Sequence, residues 1–125
     1  MIYASANGHT DIVKLLTDHG ADINVSDQFG STALIFASRS SYIEIVKLLI
    51  NCGANVNISD YHGRTALAFV VLDAIKEKAY LEIIKLLIDS GANTNTLSNQ
   101  DWKDLRSRYN NNKDITELLK KIDKI

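Results

Sequence analysis

Proline is absent from this chain of 125 residues, cysteine and tryptophan occur once each, and only six glycines are present. Without proline, no helix start has its backbone angle preset by a ring. The lone thiol, Cys52, cannot close an internal disulfide, which fits a reducing, intracellular setting. No charged, apolar, small-residue leader and no run of about 18 apolar residues occurs, so neither secretion nor a membrane span is expected. An excess of one charge is missing as well. With 14 Lys and Arg against 15 Asp and Glu the net charge is −1, too weak a field to hold a phosphate backbone, so nucleic acid is disfavoured as a partner. What is present is ordinary: 46% apolar and 23% charged residues exclude wholesale disorder and a fibrous chain. Asn is plentiful, clustered at Asn93, Asn95 and Asn99 and again at Asn110 to Asn112, and suits turns because it tolerates left-handed backbone.

The chain repeats itself. Ile12-Val13-Lys14-Leu15-Leu16 returns as Ile45-Val46-Lys47-Leu48-Leu49, as Ile83-Ile84-Lys85-Leu86-Leu87, and more weakly as Ile115-Thr116-Glu117-Leu118-Leu119. Each copy is an amphipathic helix stripe. Three of them share an exit, Gly20-Ala21-Asp22-Ile23-Asn24, Gly53-Ala54-Asn55-Val56-Asn57 and Gly91-Ala92-Asn93-Thr94-Asn95, in which Gly suits a left-handed helix C-cap. The first step, Gly20 to Gly53, is 33 residues, and the second, Gly53 to Gly91, is 38. A second block, Asp27-Gln28-Phe29-Gly30-Ser31-Thr32-Ala33-Leu34, returns as Asp60-Tyr61-His62-Gly63-Arg64-Thr65-Ala66-Leu67. It reads as a turn at Gly30 or Gly63 followed by a helix capped by Thr32 or Thr65. Each unit is therefore turn, helix, helix.

These strings resemble the ankyrin repeat, whose pattern runs D-x-x-G-x-T-P-L-H-x-A, then G-H-x-x-I-V-x-L-L and G-A-D-V-N at a period of about 33. The resemblance covers essentially the whole chain, with Gly8-His9-Thr10-Asp11-Ile12-Val13 a close copy of the middle segment. It implies an all-α solenoid of stacked helix-turn-helix units joined by hairpin-like turns. The chain departs from the family at T-P-L-H, where Ala33 and Ile35, then Ala66 and Ala68, replace Pro and His. Losing that His removes hydrogen bonds the family makes, so the first helices should be less tightly tied to neighbouring turns.

One domain is expected over residues 1–125, divided into a partial first repeat (1–26), a full repeat (27–59), a repeat with five extra residues (60–97) and a degenerate capping repeat (98–125). The first unit lacks its turn, so we expect its outer side to be covered by further chain or by another molecule. The surplus of the third unit falls around Lys76 to Tyr80 and predicts a first helix running from Ala66 to Lys78, about one turn longer than its counterpart. In the last unit Leu118, Leu119 and Ile122 should face inward, and Lys113, Lys120, Lys121 and Lys124 should face water, as solubility requires of a terminal unit. Residues 101–125 carry seven basic and five acidic side chains, a mild imbalance that reads as a solvated cap face.

Site chemistry is sparse. His9, His19 and His62 sit at repeat positions and lie near no other His or Cys at ligand spacing, so neither catalysis nor a metal is expected. Cys52 has no adjacent basic residue to lower its pKa and reads as structural. The glycines follow the repeat and form no phosphate loop, so no cofactor is expected. The expectation is therefore no enzyme.

What remains is recognition of a protein partner. In the resembling family the turn tips and concave first-helix face usually hold one. Carried over, the candidates are Gln28, Phe29 and Ser31 in one unit, Tyr61, His62 and Arg64 in the next, Asn99, Gln100 and Trp102 in the cap, and Arg39 and Ser40 along a first helix. Phe29, Tyr61, Arg64 and Trp102 carry most weight, because aromatics and Arg dominate interface energies. Competing roles stand beside them: Phe29 could tuck under its own turn and Trp102 could seal the last stack. The alternative function is a structural or self-associating element that packs through the open N-terminal unit. The resemblance further implies that Asn24, Asn57 and Asn95 occupy the position hydroxylated in some ankyrin domains, although hydrogen bonding inside the turn is the favoured role for them. A cytoplasmic location is expected, or a host cytosol if the source is an intracellular pathogen or virus.

Overall fold

A computed structural model describes residues 1–74, 80–109 and 112–122. Among these the chain forms eight α-helices, in order α1 (Ile2–Ala6), α2 (Thr10–Asp18), α3 (Ala33–Arg39), α4 (Ile43–Asn51), α5 (Ala66–Ala74), α6 (Tyr80–Asp89), α7 (Asn99–Arg108) and α8 (Lys113–Lys121), with a short 3₁₀ turn at Thr94–Thr96. The helix stripes read from the repeat fall on α2, α4, α6 and α8. The predicted extension of α5 and the orientation of Lys124 lie outside the described residues.

Helix starts and stops follow the local chemistry. Thr32 Oγ1 accepts from the Ile35 amide at 3.3 Å, and Thr65 Oγ1 from the Ala68 amide at 3.2 Å, each satisfying one of the free N–H groups of a first turn. The capping repeat uses Ser98 instead. Its hydroxyl accepts from the Asp101 amide at 3.2 Å while the Asp101 carboxylate accepts from the Ser98 amide at 3.0 Å, a reciprocal capping box. At the end of α4, the Gly53 amide reaches Ile50 O and the Ala54 amide reaches Leu49 O, the paired bonds of a Schellman motif that needs the left-handed angle, φ 91°, found at Gly53.

The odd numbered helices stack side by side, α1 on α3, α3 on α5 and α5 on α7, and the even ones form a second row, α2 on α4 and α4 on α6. The core lies between the rows. Leu34, Ile35, Ile45, Val46, Leu49, Leu67, Ile83, Ile84 and Leu87 are all buried there, and Leu105, Ile115 and Leu119 continue it into the cap. Ile35 stands where the family has His and is 1% exposed, so apolar packing holds that position. Leu118 is buried and Ile122 packs partly against the core, whereas Lys113, Lys120 and Lys121 are exposed.

Neighbouring units are also tied by polar bonds. The side-chain oxygen of Asn24 accepts from the Asn55 amide at 2.8 Å, and that of Asn57 from the Asn93 amide at 2.7 Å, while Asn57 Nδ2 donates to the Gly91 carbonyl at 3.1 Å. Asn24 and Asn57 therefore bridge one exit loop to the next. The bonds inside each loop are made by the residue two places earlier, Asp22, Asn55 and Asn93.

Candidate interface on the turns and first helices

Two turns of identical construction precede α3 and α5. In the first, Asp27 Oδ1 accepts from the amides of Phe29 and Ser31, both at 2.9 Å, and the Gly30 amide closes on the Asp27 carbonyl. In the second, Asp60 Oδ1 accepts from His62 at 3.0 Å and Arg64 at 2.9 Å, and Gly63 closes on the Asp60 carbonyl. The turns touch: the Tyr61 amide donates to the Phe29 carbonyl at 3.1 Å. Tyr61 also lies against Gly30, where a Cβ would fall 2.8 Å from its ring and 2.9 Å from its amide nitrogen, so only glycine fits. Phe29 is 65% exposed and does not tuck under its turn, and Tyr61 is 75% exposed. Gln28 and His62 are exposed beside them.

The second turn carries an ion pair that the first lacks. Arg64 Nε donates to Asp60 Oδ2 at 2.9 Å. Burial alone would push the Asp60 carboxyl up, but the two amides and the Arg64 guanidinium outweigh it and hold Asp60 below the usual carboxylate range. Arg64 is half exposed and reaches beyond its turn: its Cζ lies 4.8 Å from the centre of the Phe69 ring in α5. Arg39, at the end of α3, approaches the same ring at 4.4 Å, and Ser40 is exposed next to it. Tyr80 donates its hydroxyl to the Arg39 carbonyl at 2.6 Å, holding that helix end in place. Phe69 was not among the candidates. Its signal was the spacing, since Tyr3, Phe36 and Phe69 occupy one register at intervals of 33.

Two candidates are corrected. Trp102 is fully buried, with Nε1 donating to the Thr94 carbonyl at 3.2 Å, so it seals the last stack and offers no surface. The cause is a shortened connection. Twelve residues separate Gly53 from Thr65 but seven separate Gly91 from the equivalent cap Ser98, so no projecting turn forms and the 3₁₀ segment lies over the indole. Ser31 is 6% exposed and its amide donates to Asp27 Oδ1 inside the turn, so its side chain offers little surface. Asn99 and Gln100 are exposed in the first turn of α7, where Gln100 bonds Asp104 of its own helix.

A half-open groove of about 520 Å³ between the second helices is lined by Ile43, Leu81, Glu82, Lys85, Asp114 and Leu118, and a smaller one by Lys85, Asp89, Asp114, Glu117 and Lys121, where Lys121 pairs with Asp89. His19 Nδ1 contacts the Leu15 carbonyl of its own helix, His9 faces the Tyr3 ring, and Cys52 is exposed. No group of three or more His, Cys, Asp or Glu that could hold a metal ion occurs among the described residues, and no helix of theirs is long and apolar enough to cross a membrane.

Compared with known proteins, residues 1–98 match a family model described as ankyrin repeats (3 copies). The matched region ends at the cap residue of α7, where the projecting turn is lost. No curated protein matches the sequence.

Proposed function

Starting from a chain that belongs to the ankyrin-repeat family, whose members are generally protein–protein interaction modules, we propose that this one is a non-catalytic module that binds a partner protein through its two turn tips and the first-helix face beside them. The observation that carries this reading is the Phe29–Tyr61 pair. Both rings are largely exposed, and both stand on backbone held by hydrogen bonds, so little conformational freedom is lost when a partner closes over them. The test is a Phe29→Ala/Tyr61→Ala double variant. Partner affinity should fall at least roughly tenfold, while the helical circular-dichroism signal stays intact; undiminished binding by the folded variant removes this surface from consideration.

A second reading, self-association through the first unit, rests on Tyr3, Ile12 and Leu15, which are 77%, 48% and 59% exposed on that unit. Light scattering over a dilution series decides it: a species that stays monomeric at high concentration ends this alternative.

A further inference from the structure

The Arg39–Phe69–Arg64 cluster is more than an exposed patch. Both guanidinium carbons lie within 5 Å of one ring centre, which places them no more than about 9 Å apart. Two like charges at that spacing repel, and among the described residues the carboxylate paired with the cluster is Asp60, whose Oδ1 is already taken by two backbone amides and whose Oδ2 meets Arg64 Nε. Arg39 has no acidic partner among the described residues and is exposed. Among the described residues, the Arg39 charge is therefore left without an ion-pair partner.

We propose that this cluster is the receptor for a carboxylate side chain, Asp or Glu, in an extended segment of the partner protein, with an adjacent apolar side chain of that segment seated on Phe36. The proposal rests on the protein-binding reading above and gives it a chemistry. Guanidinium groups offer parallel N–H donors matched to the two oxygens of a carboxylate. Their stacking on the Phe69 face restrains them before the ligand arrives, so less side-chain freedom is lost on binding. Phe36 lies one turn before Arg39 on the same face of α3 and is half-buried, which leaves ring surface beside the charge. A net charge of −1 gives the chain no general attraction for polyanions, so the preference is local and favours a peptide over nucleic acid.

The experiment selects a random dodecapeptide display library on the intact chain and, in parallel, on Arg39→Glu, Arg39→Lys and Tyr61→Ala. Peptides from the intact chain should be enriched in Asp or Glu next to an apolar residue. A synthetic consensus peptide should bind roughly tenfold more weakly to Arg39→Glu and show an intermediate loss with Arg39→Lys, which keeps the charge but not the fork. Thermal unfolding of the two Arg39 variants should match the parent, since Arg39 is exposed. A library without acidic enrichment, an empty one included, or one that returns the same sequences on Arg39→Glu, overturns the proposal. So does a single-stranded oligonucleotide that displaces the peptide by binding more tightly. If peptides are lost with Tyr61→Ala but not with Arg39→Glu, the carboxylate receptor falls and the protein-binding reading stands; if neither change matters, both fall.

Discussion

Helices α2 and α4 contain the same pentapeptide, Ile-Val-Lys-Leu-Leu, at residues 12–16 and 45–49, and the two copies live in different solvents. Ile45 is fully buried whereas Ile12 is 48% exposed, and Leu15 is 59% exposed where Leu48 is half-buried. Both strings are helical, so local propensity does not separate them. The difference is neighbours: α4 is packed between α2 and α6, while α2 packs on α4 alone in its row. Burial here is a property of position in the stack, and the hydrophobic contribution of a residue must be read from what lies on either side of it.

The register shared by Phe69 and Trp102 gives the sharpest way to break that comparison. Both are the fourth residue of a first helix, but Trp102 is sealed and Phe69 is half-buried. Trp102→Ala should cost about 3–5 kcal/mol in urea unfolding and Phe69→Ala about 1–2 kcal/mol. Comparable losses would mean that the short connection over α7 does not determine burial.

The paired turns come next. Asp60 lies below its ordinary pKa of 3.8, so its ionised form stabilises the fold. That contribution is complete above pH 3.8 and disappears as pH falls through the folded value. Asp60→Asn should therefore cost about 1–2 kcal/mol at neutral pH, with the gap from the parent closing as acid is added below pH 3.8. A gap that persists at low pH would assign the effect to packing.

The smallest effect concerns the link between helices. Gly8 enters α2 at φ 74°, and Ser41, its equivalent 33 residues on, enters α4 at φ 60°, the one non-glycine in left-handed backbone among the described residues. Ser41→Gly should raise stability by about 0.5–1 kcal/mol in the same assay. A loss would show that Ser41 makes up for its strain.

How much could be read before the structure follows the same division. Units whose signals are local were legible: the stripes of α2, α4 and α6, the Thr32 and Thr65 caps and the glycine exits each follow from a few adjacent residues. What escaped was set by contacts between units. Trp102 stayed open between a surface role and a seal on the last stack because its burial depends on five residues missing from the loop before it, and Asn24 and Asn57 read as bonding inside their own turns although their side-chain oxygens bond the next loop. Arg39 and Arg64 were both named, yet the ring that joins them belongs to α5, and only the interval from Phe36 pointed to it. Ser31 fell into the row by register alone, and register does not fix exposure: Ser31 is 6% exposed where Arg64, 33 residues on, is half exposed.

The central claim, that stacking and not the pentapeptide sets burial, is tested most directly by Ile12→Ala and Ile45→Ala measured side by side in urea. Ile45→Ala should lose about 2–5 kcal/mol and Ile12→Ala about 1 kcal/mol or less. Equal losses from the two substitutions would contradict it.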